Sequence, residues 1–382
     1  MHSAIFRHDF YTGYNKSLCW YITILSGLGV VMIASVSFGV VGGDAFHHSL
    51  RKLVYLMLSL GLAAVICSLP ASTIFNRGGT LVFLSIIILL LVFLPIIDKE
   101  THGSRRWLDF QFFTVQPAEF VKLFMIIFVA DYIARHYKKI STGCLEFAKP
   151  IFVGILVTGL LLLQPDFGTA FVILVVILGM LFLAPVRLRY FLPSIMVCCI
   201  ALLSVMIAAP YRKERVLTFL DPWQHRYDAG FQLIESLIAV KNGGWFGAGL
   251  GNSIQKFSYL PEAHTDFILA IIGEELGIVG VSLLILLFFF LTRCCFLIAQ
   301  RAQAQGFLAY TYYAYGIGIW LSVQFLIHAG VVLGCLPTKG ITLPFISAGG
   351  SSLLALFAAV ALLMRINYEI SNPTRGHLKR GY

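Results

Sequence analysis

Charged residues are scarce in this sequence. Asp, Glu, Lys and Arg together make up only 12% of the 382 residues, whereas hydrophobic residues make up 59%. A soluble domain carries about 25% charged residues, because most of its surface faces water. The scarcity of charge therefore excludes an ordinary soluble globular protein. Long apolar runs predict instead helices that cross the roughly 30 Å hydrocarbon core of a bilayer with their backbone hydrogen bonds satisfied internally.

Two further features of other protein classes are missing. Short segments of alternating hydrophobicity are absent, which argues against a transmembrane β-barrel. The eight cysteines form no framework, since pairs such as Cys198 and Cys199 are adjacent within apolar runs and none has metal-ligand spacing. We interpret the cysteines as small buried hydrophobic residues. No small-residue cleavage site follows the first apolar run, so we expect that run to remain as a span.

The apolar runs predict an all-α, polytopic membrane protein with about ten transmembrane helices, formed by residues 1–382 as a single domain. Lys and Arg are in excess in alternate short loops, including 135–149, which predicts that these loops and both termini are cytoplasmic. The net charge of +10 resides largely in loops, so it indicates contact with anionic lipid headgroups and no nucleic-acid partner. The predicted spans are 18–41, 50–69, 79–97, 117–134, 150–164, 169–185, 190–209, 264–292, 307–334 and 343–364.

The longest polar segment, about 210–263, precedes the eighth span and is extracytoplasmic in this topology. Apolar residues at helical spacing from Phe231 to Ile238 predict a helix that lies on the membrane surface. Five glycines follow between residues 243 and 251. We expect these glycines to let the backbone turn tightly near the bilayer.

Charged residues near the membrane are the first guide to function, because a charge at bilayer depth is costly unless it is paired or hydrated. Glu119 and Lys122 follow Arg105 and Arg106 and are three residues apart, within contact range on one helical face. One interpretation is an ion pair that makes two charges tolerable inside the bundle. The alternative is that Lys122 and the arginines bind an anionic headgroup.

Two more charged groups lie at span boundaries. Asp166, in a turn between two short spans, either caps the next helix or pairs with one of the arginines. Arg212, Lys213 and Arg215 lie just beyond the seventh span. Guanidinium groups bind phosphate oxygens in bidentate fashion, so these residues either bind a phosphate or anchor the chain in lipid headgroups.

The last group is acidic. Asp266 lies at the mouth of the eighth span, with Glu274 and Glu275 two to three turns deeper. Asp266 is either a helix N-cap or a functional acid. His264 has no second His or Cys at ligand spacing, so we interpret it as structural.

Seven sequence blocks accompany these charges along nearly the whole chain, from about residue 18 to residue 365. Together they resemble the SEDS family (FtsW, RodA and SpoVE). The EAHTDF and LPTKG motifs look more like the FtsW division branch than the RodA elongation branch. Ala348 departs from the family pattern, which usually has an aromatic residue before the double glycine. The blocks are GSRRWL (103–108), QPAEFVKL (116–123), QPDFGT (164–169), LPEAHTDF (260–267), GEELG (273–277), LPTKGITLPF (336–345) and SAGGSS (347–352).

The resemblance implies an inverting peptidoglycan glycosyltransferase in the inner (cytoplasmic) membrane. It implies lipid II, an undecaprenyl-pyrophosphate-linked disaccharide-pentapeptide, as substrate, and a role in septal cell-wall synthesis. A class B penicillin-binding transpeptidase and other cell-division proteins are the implied partners. The family's essential acid falls on Asp266, and a functionally important lysine falls on Lys339.

The chemistry of polymerisation agrees with these residues. A sugar hydroxyl is a poor nucleophile at neutral pH, so Asp266 is the candidate general base. Cations stabilise a pyrophosphate leaving group, and the candidates are Lys339, Arg212, Arg215 and Lys122. The sequence requires no cofactor, although a Mg²⁺ or Mn²⁺ ion bridging Asp266 and phosphate oxygens is compatible with the chemistry. The other residues assigned to the substrate site are Glu119, Arg105, Arg106 and Asp166.

Two other functions stay open at this point. In a lipid II flippase, the intramembrane charges would line a path for the headgroup. In a non-catalytic scaffold that activates a transpeptidase, polar residues at the mouths of the spans would be superfluous.

Overall fold

The computed structural model describes residues 15–38, 47–94, 98–101, 104–109, 114–208, 215, 217–228, 230–257 and 260–372. Seven helices in this part of the chain are long and apolar enough to cross a membrane. The prediction of a helical, polytopic membrane protein is therefore confirmed. The helices are α1 Lys16–Phe38, α2 His47–Ser68, α3 Ala71–Phe75, α4 Gly78–Leu91, α5 Pro117–Arg135, α6 Tyr137–Ile140, α7 Cys144–Leu163, α8 Phe167–Leu183, α9 Leu188–Ala208, α10 Phe231–Gly243, α11 Ile268–Ala304, α12 Leu308–Val332 and α13 Gly350–Ser371.

Each of the ten predicted spans coincides with a helix, but three of these helices differ from the other seven. α4 and α8 are apolar but shorter, with 14 and 17 residues. α5 has 19 residues and carries four charged groups. These charges form two ion pairs within the helix, Lys122 with Glu119 at 2.9 Å and Arg135 with Asp131 at 2.8 Å. The total of ten membrane crossings stays a prediction.

Four predicted spans have wrong ends, and one of them is 150–164, because α7 already begins at Cys144. The span 79–97 is too long, because α4 ends at Leu91. The eighth span starts later and runs further than 264–292, since α11 extends from Ile268 to Ala304. The last span does not begin at residue 343, because a loop precedes α13. Apolar composition alone cannot distinguish a buried loop from a membrane helix.

A small antiparallel sheet was missed by the all-α prediction. Its strands are β1 Asp98–Thr101, β2 Ser104–Asp109 and β3 Thr114–Val115, with β2 in the middle. Strands of two to six residues carry too little alternation to be recognised from sequence. The sheet leads directly into α5, and the amide N–H of Gln116 donates to Ser351 Oγ at 2.9 Å. This bond fixes β3 beside the start of α13.

The core of the bundle is centred on α12, which packs against α11, α5 and α8. Its Tyr313 and Trp320 are fully buried. A second close pair is formed by α2 and α13. α9 is packed weakly and exposes large apolar side chains such as Leu192 and Ile207, as expected for a surface that faces lipid.

The segment 243–251, which contains the five clustered glycines, packs directly against α11. The helix is broken at Gly277, whose φ of 67° lies in the left-handed region that glycine adopts without strain. A Cβ atom at Gly277 would collide with the backbone of Gly247, and one at Gly247 would collide with the backbone of Glu275. The two backbones therefore meet with no side chain between them, and the predicted tight turns are confirmed.

The predicted helix after residue 230 is present as α10. Leu233 and Ile234 are buried, and the helix packs against α11. Ser236 Oγ also donates to the carbonyl of Val332 at 2.9 Å. Part of the apolar side of α10 thus faces protein, whereas Phe231, Leu237 and Ile238 are half-buried, and its place on the membrane surface stays a prediction.

Candidate functional site

A cavity of about 550 Å³ opens at the end of the bundle where α2, α11 and α13 begin. This volume is within the range of small-molecule sites, roughly 300–1,000 Å³. Its walls come from the start of α2, the sheet, residues 262–267 and residues 338–352. Its charged lining comprises four cations and two acids, a balance that favours an anionic ligand. These residues are Arg51, Arg106, Arg215, Lys339, Glu262 and Asp266.

Asp266 lies in a tight turn that immediately precedes α11. The amide groups of Thr265, Asp266 and Phe267 all donate to the carbonyl of Glu262, at 3.1, 3.1 and 3.3 Å. The N-cap of α11 is Phe267, and no side chain caps this helix. The alternative that Asp266 is an N-cap is therefore wrong. Its carboxylate faces the cavity instead.

The surroundings of Asp266 change its acidity. Burial, the largest effect, and the nearby Glu262 carboxylate both raise the pKa of the Asp266 carboxyl, and its net value is about 7. The guanidinium groups of Arg106 and Arg215 oppose this effect and lower the pKa. Burial also lowers the pKa of His264, so this imidazole is neutral near pH 7. A carboxyl with a pKa near neutral is well matched to proton transfer at physiological pH.

Arg106 is held in the cavity by the turn between α7 and α8. Its Nε donates to the carbonyl of Gln164 at 3.2 Å, and its Nη2 donates to the carbonyl of Pro165 at 2.6 Å. Asp166, in the same turn, is buried and accepts a hydrogen bond from the Thr169 amide at 3.1 Å. The N-cap interpretation of Asp166 is confirmed, and its carboxylate is not part of the cavity lining.

Lys339 reaches the cavity from the loop between α12 and α13. Its ammonium group lies over the ring of Phe167, with Nζ 4.2 Å from the ring centroid. A cation at this distance is attracted by the ring quadrupole. Phe167 is the first residue of α8, so the QPDFGT motif supports both Arg106 and Lys339.

Glu119 and Lys122 lie outside the cavity lining. Both are buried, and Lys122 Nζ contacts Glu119 Oε1 at 2.9 Å and Gln324 Oε1 at 3.1 Å. The ammonium group also lies 5.1 Å from the centroid of the Trp320 ring. This placement supports the ion-pair interpretation. The two charges pair with each other inside the bundle, and the assignment of these residues to an anionic headgroup stays a prediction.

The remaining arginines are placed only in part. Arg215 lines the cavity and is exposed. Arg212 lies outside the described residues, and of Arg105 only the backbone, in β2, is described. Their assignment to the substrate site stays a prediction.

Several cavity residues were missed by the sequence-based assignment. Arg51 lines the cavity, donates to Thr114 Oγ1 at 3.1 Å and lies over the ring of Tyr55. Gly340 is equally important to the shape of the site, since a Cβ atom there would lie only 2.9 Å from Asp266 Oδ2. Arg51 could have been assigned to the site from sequence, because it is a charge at a span boundary. Gly340 could not, because it has no side chain that would indicate a role.

A metal ion stays a prediction. Within the described ranges, no group of three or more His, Cys, Asp or Glu side chains could hold one. The cavity offers the two carboxylates of Glu262 and Asp266. Mg²⁺ sites often combine one or two carboxylates with phosphate oxygens of a substrate, so a divalent cation would depend on the ligand for most of its coordination.

Comparison with known proteins gives consistent matches over most of the chain. The pattern of the FtsW/RodA/SpoVE family, described as cell cycle proteins, matches residues 16–372. A protein from Coxiella burnetii named probable peptidoglycan glycosyltransferase FtsW is 44% identical over 351 residues, which cover 91% of this chain and 94% of that protein. A protein of the same name from Aliivibrio salmonicida is 40% identical over 359 residues, covering 93% of this chain and 89% of its own length.

Solved structures match the fold. One belongs to a study of how a peptidoglycan synthase complex coordinates polymerisation and crosslinking; it has a TM-score of 0.77 and 28% identity, and the match covers 94% of this chain and 99% of that one. Another is the rod shape determining protein RodA of Thermus thermophilus, with a TM-score of 0.69 and 26% identity. That match covers 94% of this chain and 98% of that one.

Proposed function

Since the chain belongs to the FtsW/RodA/SpoVE family of cell cycle proteins, we propose that it is a peptidoglycan glycosyltransferase. Its curated relatives carry that name. The proposed reaction polymerises lipid II at the outer face of the cytoplasmic membrane, in septal wall synthesis. The observation that carries the proposal is Asp266, a carboxyl with a pKa of about 7 in a cavity lined by cations.

The proposed mechanism is a single displacement. The 4-hydroxyl oxygen of the acceptor sugar forms a bond with the anomeric carbon of the donor, and the bond from that carbon to the pyrophosphate oxygen breaks. Asp266 accepts the hydroxyl proton as the new bond forms. The lipid pyrophosphate leaves as an anion, and one displacement inverts the anomeric configuration.

The cations of the cavity are proposed to stabilise the leaving group. Negative charge grows on the pyrophosphate in the transition state, and fixed positive groups lower the energy of that state. Arg106 suits this role because two backbone carbonyls orient its guanidinium group. Lys339 suits it because the Phe167 ring fixes the position of its ammonium group.

The direct test is polymerisation by the isolated protein. Purified protein in detergent or nanodiscs is incubated with lipid II, alone and with its transpeptidase partner, and the glycan products are separated on a gel. The proposal requires glycan strands in reactions that contain this protein. A control reaction that contains only a catalytically inactive partner should produce none. Complete absence of polymer with both preparations would contradict it.

The two other functions have less support. A headgroup path for a flippase would use charges deep in the bundle, yet Glu119 and Lys122 neutralise each other there. A scaffold would not need a cation-lined cavity with an acid of raised pKa.

The pH dependence of the reaction follows from Asp266. Burial is the main cause of its pKa of about 7, Glu262, Arg106 and Arg215 are the charged groups that modify it, and His264 and Lys339 line the same cavity. Only the deprotonated carboxylate accepts a proton, so activity is expected to rise with pH through about 7 and to fall about tenfold per unit well below it. Initial rates between pH 5 and pH 9 measure this. An acid limb near pH 4 would mean that Asp266 keeps an ordinary acidity.

Lys339→Met is expected to lower polymerisation about tenfold and to raise KM for lipid II. The variant loses a cation that contacts the donor both before and during the reaction, so binding and turnover should both suffer. Steady-state kinetics separate the two effects. Lys139→Met, which changes an exposed lysine in the 135–149 loop, is the matched control and should behave like the wild type. An unchanged KM for Lys339→Met would exclude a role in donor binding.

The proposed topology places both termini and residues 135–149 in the cytoplasm, and residues 210–263 outside. Lys139 and Lys241 are both exposed, so each position suits labelling. A single cysteine at position 241 should react with an impermeant reagent in intact cells, whereas one at position 139 should react only after lysis. The native cysteines are removed first. The reverse result would overturn the orientation and place the cavity on the cytoplasmic side.

The proposed partner is a class B penicillin-binding transpeptidase, with other cell-division proteins in the same assembly. One structural relative comes from a complex in which polymerisation and crosslinking are coordinated. We expect the transpeptidase to pack against apolar surface of the later spans and to reach α10. Products of the polymerase would then pass directly to the crosslinking enzyme.

A further inference from the structure

Lys52 is a buried lysine that the proposed mechanism does not use. It lies in the second turn of α2, and only 2% of its surface is exposed. In the sequence it lies near the start of the predicted span 50–69. Its ammonium group donates to three consecutive backbone carbonyls, those of Phe345, Ile346 and Ser347, at 2.9, 3.3 and 2.7 Å. A buried charge is costly unless hydrogen bonds replace its lost hydration, and here three carbonyls do so.

These carbonyls belong to the loop that precedes α13. Three successive carbonyl dipoles directed at one point repel each other unless a cation lies between them. Phe345 also has a φ of 65°, a conformation that is unfavourable for an aromatic residue. The loop is also packed closely against α1, since a Cβ atom at Gly29 would lie 2.8 Å from the same Phe345 carbonyl oxygen. The loop therefore depends on Lys52 for its shape.

The same loop holds the turn that carries Asp266. Ser347 Oγ accepts from the amide of Leu343 at 2.8 Å and donates to the carbonyl of Thr265 at 2.7 Å. The amide of Ala348 donates to the carbonyl of His264 at 3.0 Å. Both bonds end on the two residues immediately before Asp266. Ser347 thus links Lys52 to the backbone beside the proposed base, because its carbonyl accepts from the ammonium group and its hydroxyl donates to Thr265.

We propose that Lys52 is a positioning residue for the carboxylate of Asp266. Its ammonium group fixes residues 345–347, and Ser347 passes this constraint to the backbone at Thr265. The inference rests on the proposed function of Asp266 and extends it to a residue outside the cavity lining. A small displacement of a reacting group has a large effect on rate but a small effect on substrate binding, so the role has a distinct kinetic signature.

The test uses Lys52→Met, which keeps the length of the side chain but removes all three donated hydrogen bonds. We expect kcat for lipid II polymerisation to fall about tenfold, with KM changed by less than about twofold. Ser347→Ala breaks the next link of the chain and should reproduce the same effect. Because both changes act through one chain, the double variant should be no slower than the slower single variant. Lys52→Arg retains donors for the carbonyls and should recover part of the rate.

A control separates positioning from general stability. Tyr310→Phe removes a buried hydrogen bond to Glu369 of 2.8 Å at the other end of the bundle. This variant should lower the melting temperature without changing kcat. If Lys52→Met does not fold, Ser347→Ala and Lys52→Arg carry the test. Wild-type kcat in folded Lys52→Met, or multiplicative losses of about 100-fold in the double variant, would overturn the inference.

The outcome is distinguishable from a failure of the proposed function. If Asp266→Asn retains full polymerisation, Asp266 is not the base and Lys52 has no reacting group to position. If Asp266→Asn is inactive while folded Lys52→Met is fully active, the base is correct and only the positioning role is wrong.

Discussion

Asp266→Asn is expected to lower lipid II polymerisation by about 10²–10⁴-fold, the usual contribution of a general base. The asparagine side chain has nearly the same size and shape, but it cannot accept a proton at neutral pH. Asp266 does not cap α11, and its backbone bonds to Glu262 are independent of the side chain, so the fold should be preserved. Gel analysis of glycan strands under initial-rate conditions measures the loss.

Three controls accompany this variant. Glu146→Gln removes a half-buried carboxylate that pairs with Lys149 and accepts from the Tyr132 hydroxyl, outside the cavity lining, and should change the rate less than twofold. Co-purification of Asp266→Asn with the transpeptidase should be unchanged, because the surface keeps its shape. Lipid II translocation is measured on the same variant. Polymerisation at the wild-type rate would remove the catalytic role, and intact polymerisation with lost translocation would favour a flippase.

Gly340→Ala is expected to lower polymerisation about 10- to 100-fold, because it moves the base. The new Cβ atom would lie 2.9 Å from Asp266 Oδ2, which is shorter than a van der Waals contact, so the carboxylate would have to move. The backbone of Gly340 is not in the left-handed region, so alanine itself causes no strain there. The loss of rate should therefore report on the displacement of the carboxylate.

The matched control for this variant is Gly159→Ala. Gly159 lies within α7, and no atom lies within 4 Å of the position that its Cβ would occupy. Replacing a helical glycine by alanine should stabilise the protein slightly and leave kcat unchanged. A Gly340→Ala enzyme with wild-type kcat would show that Asp266 tolerates displacement, which would weaken its assignment as the base.

The sequence identified the proposed base, Asp266, but not the neighbouring residues that fix its position. Asp266 could be predicted because an acid at the mouth of an apolar span is costly and requires an explanation. Arg106 could be predicted for the same reason. Gly340 could not, since its contribution is the absence of a side chain next to a group 74 residues away in sequence. Such contacts exist only once the loops are folded against each other.

Buried lysines show a second limit of sequence-based prediction. Lys122 was assigned to the substrate, and Lys52 lies near the start of a predicted span, yet both side chains are buried inside the bundle. Hydropathy places a residue along the axis of a helix but does not say which way its side chain points. Near the end of a span, headgroups, a cavity and the protein interior are all within reach of a long side chain. Only the packing of α2 against α13 and of α5 against α12 decides among them.

The two ion pairs of α5 have a consequence for the biogenesis of the protein. A single charge at the centre of a helix opposes entry into the bilayer by about 2.5–3.5 kcal/mol. The charges of α5 are spaced three and four residues apart, so each finds its counter-ion within the helix itself. The charges of α5 can therefore be neutralised without a counter-ion from a neighbouring helix. α5 can leave the translocon as an already paired segment, and its contacts with α8 and α12 can form afterwards, within the lipid.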